Sequence, residues 1–169
     1  MKHIALRAFV EDDLPVLDRF ATDPDVAGAF QWTGFTDPKA RRRRFEEDGF
    51  LGERSSAVAV TVDGVVAGMA GWEAADRGGP AGGCYEIGLT LLPDHRGHGT
   101  GTEAHRLLVD HLFRFTRAHR LEAFTDAGNA AEQRVLEKTG FHREGLMCQV
   151  TWRDGSYRDE VVYGLLRTA

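Results

Sequence analysis

The chain has 169 residues, 42% of them apolar, and carries 26 acidic against 21 basic side chains for a net charge of −5. That length suits one domain able to bury most of its surface, and the acid excess leaves no basic field to draw nucleic acid. No 18-residue apolar run and no leader pattern is seen, so a cytoplasmic protein without membrane contact is expected; Cys84 and Cys148 are too few and too far apart for a metal site and are expected as buried free thiols rather than a disulfide.

His3 to Phe9 alternates like a first strand. Glu11, Asp12 and Asp13 then place negative charge at a helix N-terminus, and Leu14, Leu17 and Phe20 give that helix an apolar face. Asp23-Pro24 ends it. Val26 to Phe35 shows no period; its Phe30, Trp32 and Phe35 either plug the core or line a substrate mouth. Pro38 after Thr36 and Asp37 starts a second helix. Its run Arg41 to Arg44 is followed by Glu46, Glu47 and Asp48, which reads as a solvated face with ion pairs rather than a phosphate site. Two β-branched runs, Ser56 to Val62 and Val65 to Trp72, flank Asp63-Gly64 as a hairpin. Gly78 to Gly83 reads as a flexible loop before a strand from Cys84 to Leu92.

Next comes PDHRGHGTGTE, Pro93 to Glu103, with Gly97, Gly99 and Gly101 at alternate positions. A strand leads in, and a helix from Thr100 to Phe115 leads out. Glycine lets the backbone approach a ligand, and a helix start offers free N–H groups and a positive dipole end. Together they suit a phosphate or pyrophosphate. The Walker loop needs a Lys that is absent here, and the dinucleotide fingerprint needs Gly where Thr102 stands. The pattern R/Q-x-x-G-x-G/A fits, as Arg96-Gly97-His98-Gly99-Thr100-Gly101. A strand at Leu121 to Thr125 follows, then a helix from Asn129 to Thr139 closed by Gly140. Strands from Phe141 to Arg153 and Tyr157 to Leu166 flank the turn Asp154-Gly155. The order β α α β β β α β α β β implies a mixed sheet with one crossover.

The glycine loop resembles the acyl-CoA pyrophosphate loop of the GNAT superfamily of N-acetyltransferases. LRAF…EDDLP…DPDV, GNAAEQRVLEKTGF and DGSYRDEVVYGLL are similar to segments of its RimJ/RimL-like subgroup, in the same order. The resemblance implies an α/β (α+β) GNAT fold: a mixed, mostly antiparallel seven-stranded sheet flanked by about four helices, as a single domain over residues 1–169. It implies acetyl-CoA as acyl donor, no metal, and a primary amine as acceptor, whether a protein N-terminus, an amino acid, a polyamine or an amine antibiotic. No nucleic-acid or membrane partner is implied; a homodimer is compatible with it. A non-catalytic acyl-CoA sensor of the same fold is the alternative.

The resemblance also implies roles for residues. The pyrophosphate is expected on the amides of Arg96, Gly97, His98, Gly99, Thr100 and Gly101. Pantetheine is expected to pair with Leu89 and Leu91 at a strand edge, with Asn129 bonding its arm or capping the next helix. A bulge at Gly88 is expected to splay the two central strands. Leu89 N–H would hold the oxyanion, and Glu86 would take the amine's proton through a water. Phe30, Trp32, Trp152 and Tyr157 are expected around the acceptor. His95 and His98 are expected against cofactor or solvent rather than as bases. Two positions depart from the pattern: Glu132 stands where the subgroup has Ser, and Leu136 where many members have an acidic Tyr. No family acid therefore carries over. Tyr157 is a weak substitute for it, and Tyr163 reads as core.

Overall fold

A computed structural model describes residues 2–77 and 82–168. Seven strands form one sheet in the order β1-β2-β3-β4-β5-β7-β6. They are β1 Ile4–Arg7, β2 Ser55–Val62, β3 Val65–Ala74, β4 Cys84–Leu91, β5 Arg120–Asp126, β6 His142–Arg153 and β7 Ser156–Leu166. Five α-helices accompany them: α1 Leu14–Thr22, α2 Pro24–Ala27, α3 Ala40–Asp48, α4 Thr100–Phe115 and α5 Ala130–Lys138. All neighbouring strands run antiparallel except β4 and β5. The α4 crossover between them makes that pair parallel. Part of the expected Gly78 to Gly83 loop, residues 78–81, lies outside the described residues. Among the described residues no helix is long and apolar enough to cross a membrane.

Strand alternation divides the core between the two faces of the sheet. On one face Ala57, Ala59 and Val66 pack with Leu14 and Leu17 of α1 and with Phe9 and Phe50. On the other, Val60, Ala70, Ile87 and Leu91 meet Leu108 and Leu112 of α4, Leu136 of α5 and Tyr163 of β7. Tyr163 is core, as read. At Asp63-Gly64 both residues take positive φ, 50° and 85°, as a type I′ hairpin turn requires. Both cysteines are free thiols, but only Cys84 is buried as expected; Cys148, on the edge strand β6, is exposed.

Three local details differ from the sequence reading. The stretch after Asp23 opens with the short helix α2. Asp23 accepts from Asp25 N at 3.0 Å and Val26 N at 3.4 Å, with Pro24 in the first turn, so the cap and proline signals were both present. The arginine run on α3 makes only one pair with an acid of its own helix, Arg44–Asp48 at 3.9 Å. Arg41 instead donates to Leu17 O, Arg42 pairs with Glu11 at 3.1 Å, and Arg44 donates to Ser55 O at 2.8 Å. With Arg43 paired to Asp37 at 2.7 Å, the exposed, ion-paired face is as read, but a helix with no buried residue is docked largely by guanidinium forks, helped by Phe45 packing beside Phe50. Finally, β3 and β4 keep one unbroken register through Gly71↔Gly88, so the bulge expected at Gly88 is not formed.

Candidate active site

The sheet opens without that bulge. β4 and β5 pair only at Cys84↔Arg120, Tyr85↔Leu121 and Glu86↔Glu122. Beyond this β4 follows β3 to Leu91 and β5 follows β7 to Asp126, and sheet twist carries the two halves apart. Ala75 N donates to Cys84 O at 3.0 Å and Leu92 N to Ala67 O at 2.8 Å. The even-numbered residues of β4 therefore turn their backbone groups toward β3. Ile87, Leu89 and Leu91 turn theirs to the opposite side, where β5 has left. Arg96 Nε occupies Leu91 O at 2.9 Å. The N–H and C=O of Leu89 and the N–H of Leu91 face a cleft of about 630 Å³. An added Cβ on Gly88 would meet nothing within 4 Å, so that glycine widens the mouth instead of kinking the strand.

The glycine loop closes one end of this cleft. Gly97 and Gly99 have φ of 76° and 82°, and Gly99 is the N-cap of α4 without a side chain to cap it. Arg96 N is already used on Pro93 O at 3.1 Å, so the cradle of free amides begins at Gly97, one residue later than expected. Among the described residues, Gly97, His98 and Gly99 donate no main-chain bond. The first-turn amides of Thr100, Gly101 and Thr102 have no intrahelical partner by geometry. The side chain of Thr100 is buried and neither it nor the exposed His98 lines the cleft; both residues offer backbone only. The guanidinium of Arg96 bonds Val26 O as well as Leu91 O, which makes it a brace rather than a phosphate ligand.

At its other end the cleft meets a second cavity of about 500 Å³. Phe30, Gln31, Phe124, Thr125 and Asn129 border both. Asn129 caps α5, its Oδ1 accepting from Glu132 N at 3.2 Å, so the expected cap holds while its amide nitrogen remains available at the junction. Glu86 lines the second cavity and has no ion pair among the described residues. Its carboxyl is held above the ordinary range by desolvation and then by Glu73, against the pull of Arg77. Glu160 lines the same cavity and accepts from Thr151 Oγ1 at 2.6 Å. Asp126 pairs with Arg153; burial pushes its carboxyl up, but the Arg153 bond prevails and holds it low. Arg153 also donates to Phe30 O at 3.2 Å and lies 5.5 Å over the Phe30 ring.

Of the four residues expected around the acceptor, only Phe30 lines a cavity. Thr151, Arg153 and Glu160 face the site, so strand alternation turns Trp152 and Tyr157 to the other face. There they pack edge-to-face with centroids 5.1 Å apart, each 59% exposed. Trp32 packs edge-on against Phe35 at 5.3 Å, outside both cavities. Tyr157 therefore stands outside the cleft that an acid would have to line.

One pair was visible in the sequence only as a departure from pattern. Glu132, in the first turn of α5, lines the cleft and sets its Oε1 3.0 Å from Nε2 of His105 on α4. His105 is fully buried. Desolvation pushes the Glu132 carboxyl up to about 7 and the imidazole down to about 4.

Comparison with known proteins places this geometry. The family model for the acetyltransferase (GNAT) domain matches residues 3–142. A probable N-acetyltransferase of Bacillus subtilis, YjcK, is 41% identical over 80 residues, 47% of this chain and 44% of that protein, so the chain spans under half of that relative's length. Spermidine N-acetyltransferase from Vibrio cholerae, solved with CoA and spermine, superposes with a TM-score of 0.84 at 16% identity, covering 96% of this chain and 95% of the other. An acetyl transferase from Salmonella typhimurium that modifies the N-terminal serine of a 50S ribosomal subunit protein gives 0.79 at 20% identity, covering 98% and 95%. With the family model spanning most of the chain and the seven-stranded fold shared with these structures, the chain belongs to the GNAT family of acetyltransferases.

Proposed function

We propose that this acetyl-CoA-dependent acetyltransferase moves the acetyl group to a small, positively charged primary amine by direct attack. The observation that carries the reading is the junction at Asn129. A cleft ending in free helix-start amides opens there onto a cavity lined by three carboxylates; Asp126 is paired with Arg153, while Glu86 and Glu160 make no ion pair among the described residues. Amides at a helix N-terminus favour the pyrophosphate end of the donor; unpaired carboxylates favour an ammonium. The V. cholerae structure, solved with CoA and spermine, is consistent with such an acceptor.

The residues divide the work as follows. Gly97 to Thr102 hold the diphosphate on main-chain amides, and Leu89 and Leu91 pair with the pantetheine arm as a missing strand would. Asn129 bonds the same arm from α5. Leu89 N–H, aimed into the splay, stabilises the oxyanion that forms on the acyl carbon. Glu86 accepts the amine's proton, directly or through one water, and its raised pKa brings it nearer to that task at neutral pH.

The test is release of free CoA thiol from acetyl-CoA, followed with a thiol reagent, against a panel of a polyamine, an amino-acid ester and a short peptide with a free N-terminus. Amine-dependent release is expected, fastest with the polyamine. Equal rates with the neutral-bodied peptide would refute the cationic preference. Absence of amine-dependent release, with acetyl-CoA still raising the melting temperature, would refute catalysis.

A further inference from the structure

We infer that Glu132 is the acid that protonates the departing CoA thiolate, an inference resting on the acetyl-transfer reading above. Its place in the cleft is the first reason. Asn129, three residues before it, stands at the junction of the two cavities. Val135, three residues after it, stands at the cradle, where a Cβ on Gly101 would come 3.8 Å from Val135 Cγ2. Residues three apart share a helix face, so Glu132 lies between cradle and junction on the wall of the cleft. A pantetheine arm reaching from one to the other passes it with the sulfur end toward the junction.

The second reason is the support behind it. His105 is fully buried, and its Nδ1 has no hydrogen-bond partner among the described residues. A buried N–H without an acceptor is costlier and rarer than a bare acceptor, so the neutral ring carries its hydrogen on Nε2 and donates it to Glu132 Oε1. That bond occupies one carboxyl oxygen and leaves Oε2 as the oxygen that carries a proton into the cleft. Burial in turn keeps this carboxyl protonated up to neutrality. Among the described residues, Glu132 is the only carboxylate lining the donor cleft. The titratable and charged groups around it are the neutral His105 from α4, Arg134 and Lys138 from its own helix, and Arg96 from the glycine loop, where it is tied to two carbonyls. The other candidates are out of place. Leu136 is apolar and buried, Tyr157 lies outside the cleft, and Glu86 is in the acceptor cavity.

The step balances. The amine nitrogen bonds to the acetyl carbon, the carbon–sulfur bond breaks, and its electron pair stays on sulfur. The Oε2 proton moves to sulfur, giving the CoA thiol and leaving Glu132 ionised. Water reprotonates it once the cleft empties. The ammonium loses two protons on the Glu86 side, and Glu132 recovers one from solvent, so each turnover releases one proton.

The experiment compares wild type with Glu132→Gln and Glu132→Asp for kcat from pH 6 to pH 10 and for CoA affinity by calorimetry. Gln can still accept from His105 Nε2, so its fold is expected to hold; circular dichroism and melting check it. Expected for Glu132→Gln is a kcat lower by about 10²-fold, a CoA Kd within about threefold of wild type, and loss of the limb on which wild-type kcat falls as pH rises above neutrality. Glu132→Asp keeps an acid and carries the same reading should the amide variant unfold. It should show a reduced kcat with the limb retained but moved. A variant profile superimposable on wild type overturns the inference. So does a loss of CoA affinity as large as the loss of rate, or tighter CoA binding at unchanged kcat, which would make Glu132 a mere repulsive wall. Absence of amine-dependent turnover in wild type itself overturns the acetyl-transfer reading, a separate failure.

Discussion

Gly99 gives the sharpest test of the amide cradle, because the structure separates its two jobs. At φ 82° and ψ −8° it sits in the left-handed region, where an L side chain costs about 1–2 kcal/mol. An added Cβ would meet nothing within 4 Å, so no clash adds to that. Gly99→Ala should therefore lower the melting temperature by about 2–8 °C and leave the amides, and CoA binding, within about fivefold of wild type. Gly99→Glu carries the same backbone strain and also brings a negative charge to the mouth of a site for a diphosphate. At about 6 Å and an effective dielectric near 20, one such repulsion is about 3 kcal/mol, or roughly a hundredfold in Kd. Calorimetric titration of CoA into both variants, beside their melting curves, reads the two effects independently. Equal CoA affinity in the Ala and Glu variants, both folded, would show that the diphosphate binds elsewhere and would refute the cradle.

Three further outcomes follow from named groups. Glu86→Gln should leave CoA affinity unchanged and lower kcat by about 10²-fold, with a deficit that shrinks as pH rises and more of the amine is already neutral; parallel pH profiles from 6 to 10 would remove Glu86 from the mechanism. Asp13 is held below its usual pKa by the hydrogen bond from Arg7, at 2.6 Å, with burial opposing and Val10 N–H assisting. Its contribution to stability is present above the unfolded carboxylate pKa near 4 and is lost as pH falls through the lower folded value. Asp13→Asn should thus cost about 1–2 kcal/mol in denaturant melts at pH 7, and nearly nothing near pH 2; a pH-independent difference would contradict the pairing. Lastly, neither cavity is lined by Cys, Ser or His among the described residues, so initial-rate plots for donor and amine should intersect, whereas parallel lines would reveal an acyl-enzyme.

What the sequence made legible depended on range. Signals that act within a few residues were read correctly: the Asp63-Gly64 turn, the helix start at Thr100 and the Asn129 cap are each decided by local backbone chemistry. The position of a cleft beside the glycine loop was legible too, since that loop and the strand before it are contiguous in the chain. The acceptor side was less legible, because it is assembled across the sheet. Arg153 reaches Asp126 and Phe30 from β6, and Glu160 enters from β7 in a register that only the fold reveals. Trp152 and Tyr157 illustrate the cost. The resemblance placed them at the acceptor through their position on the closing hairpin, yet a single step in strand parity sends them to the opposite face, while the less conspicuous Thr151 and Arg153 face the site. The splay, similarly, was ascribed to a local bulge when its cause is the divergence of two half-sheets.

The segment from Val26 to Gln31 shows how few contacts govern both cavities. Ala27 to Gln31 form a wall of the donor cleft, and Phe30 and Gln31 continue it into the acceptor cavity. Two arginines tie this wall to the sheet: Arg96 links Val26 O to Leu91 O at the cradle end, and Arg153 links Phe30 O to Asp126 at the acceptor end. Gly28 lies so close to the first brace that an added Cβ would come 3.0 Å from Arg96 Nη1. A planar, multiply donating guanidinium can bond two acceptors at once where an ammonium holds its partners less rigidly, and of 21 basic residues only Lys2, Lys39 and Lys138 are lysine. Both braces act on backbone carbonyls of the wall, so they constrain its path whatever side chains it presents. On the proposed reading, Phe30, with Arg153 5.5 Å over its ring, and Gln31 at the junction set which amine fits, while the cradle and the Leu89 edge hold the donor. Under the proposed function, donor binding and acceptor choice fall to different groups on a shared wall, so changes at residues 30 and 31 would alter the acceptor without disturbing the amides assigned to CoA.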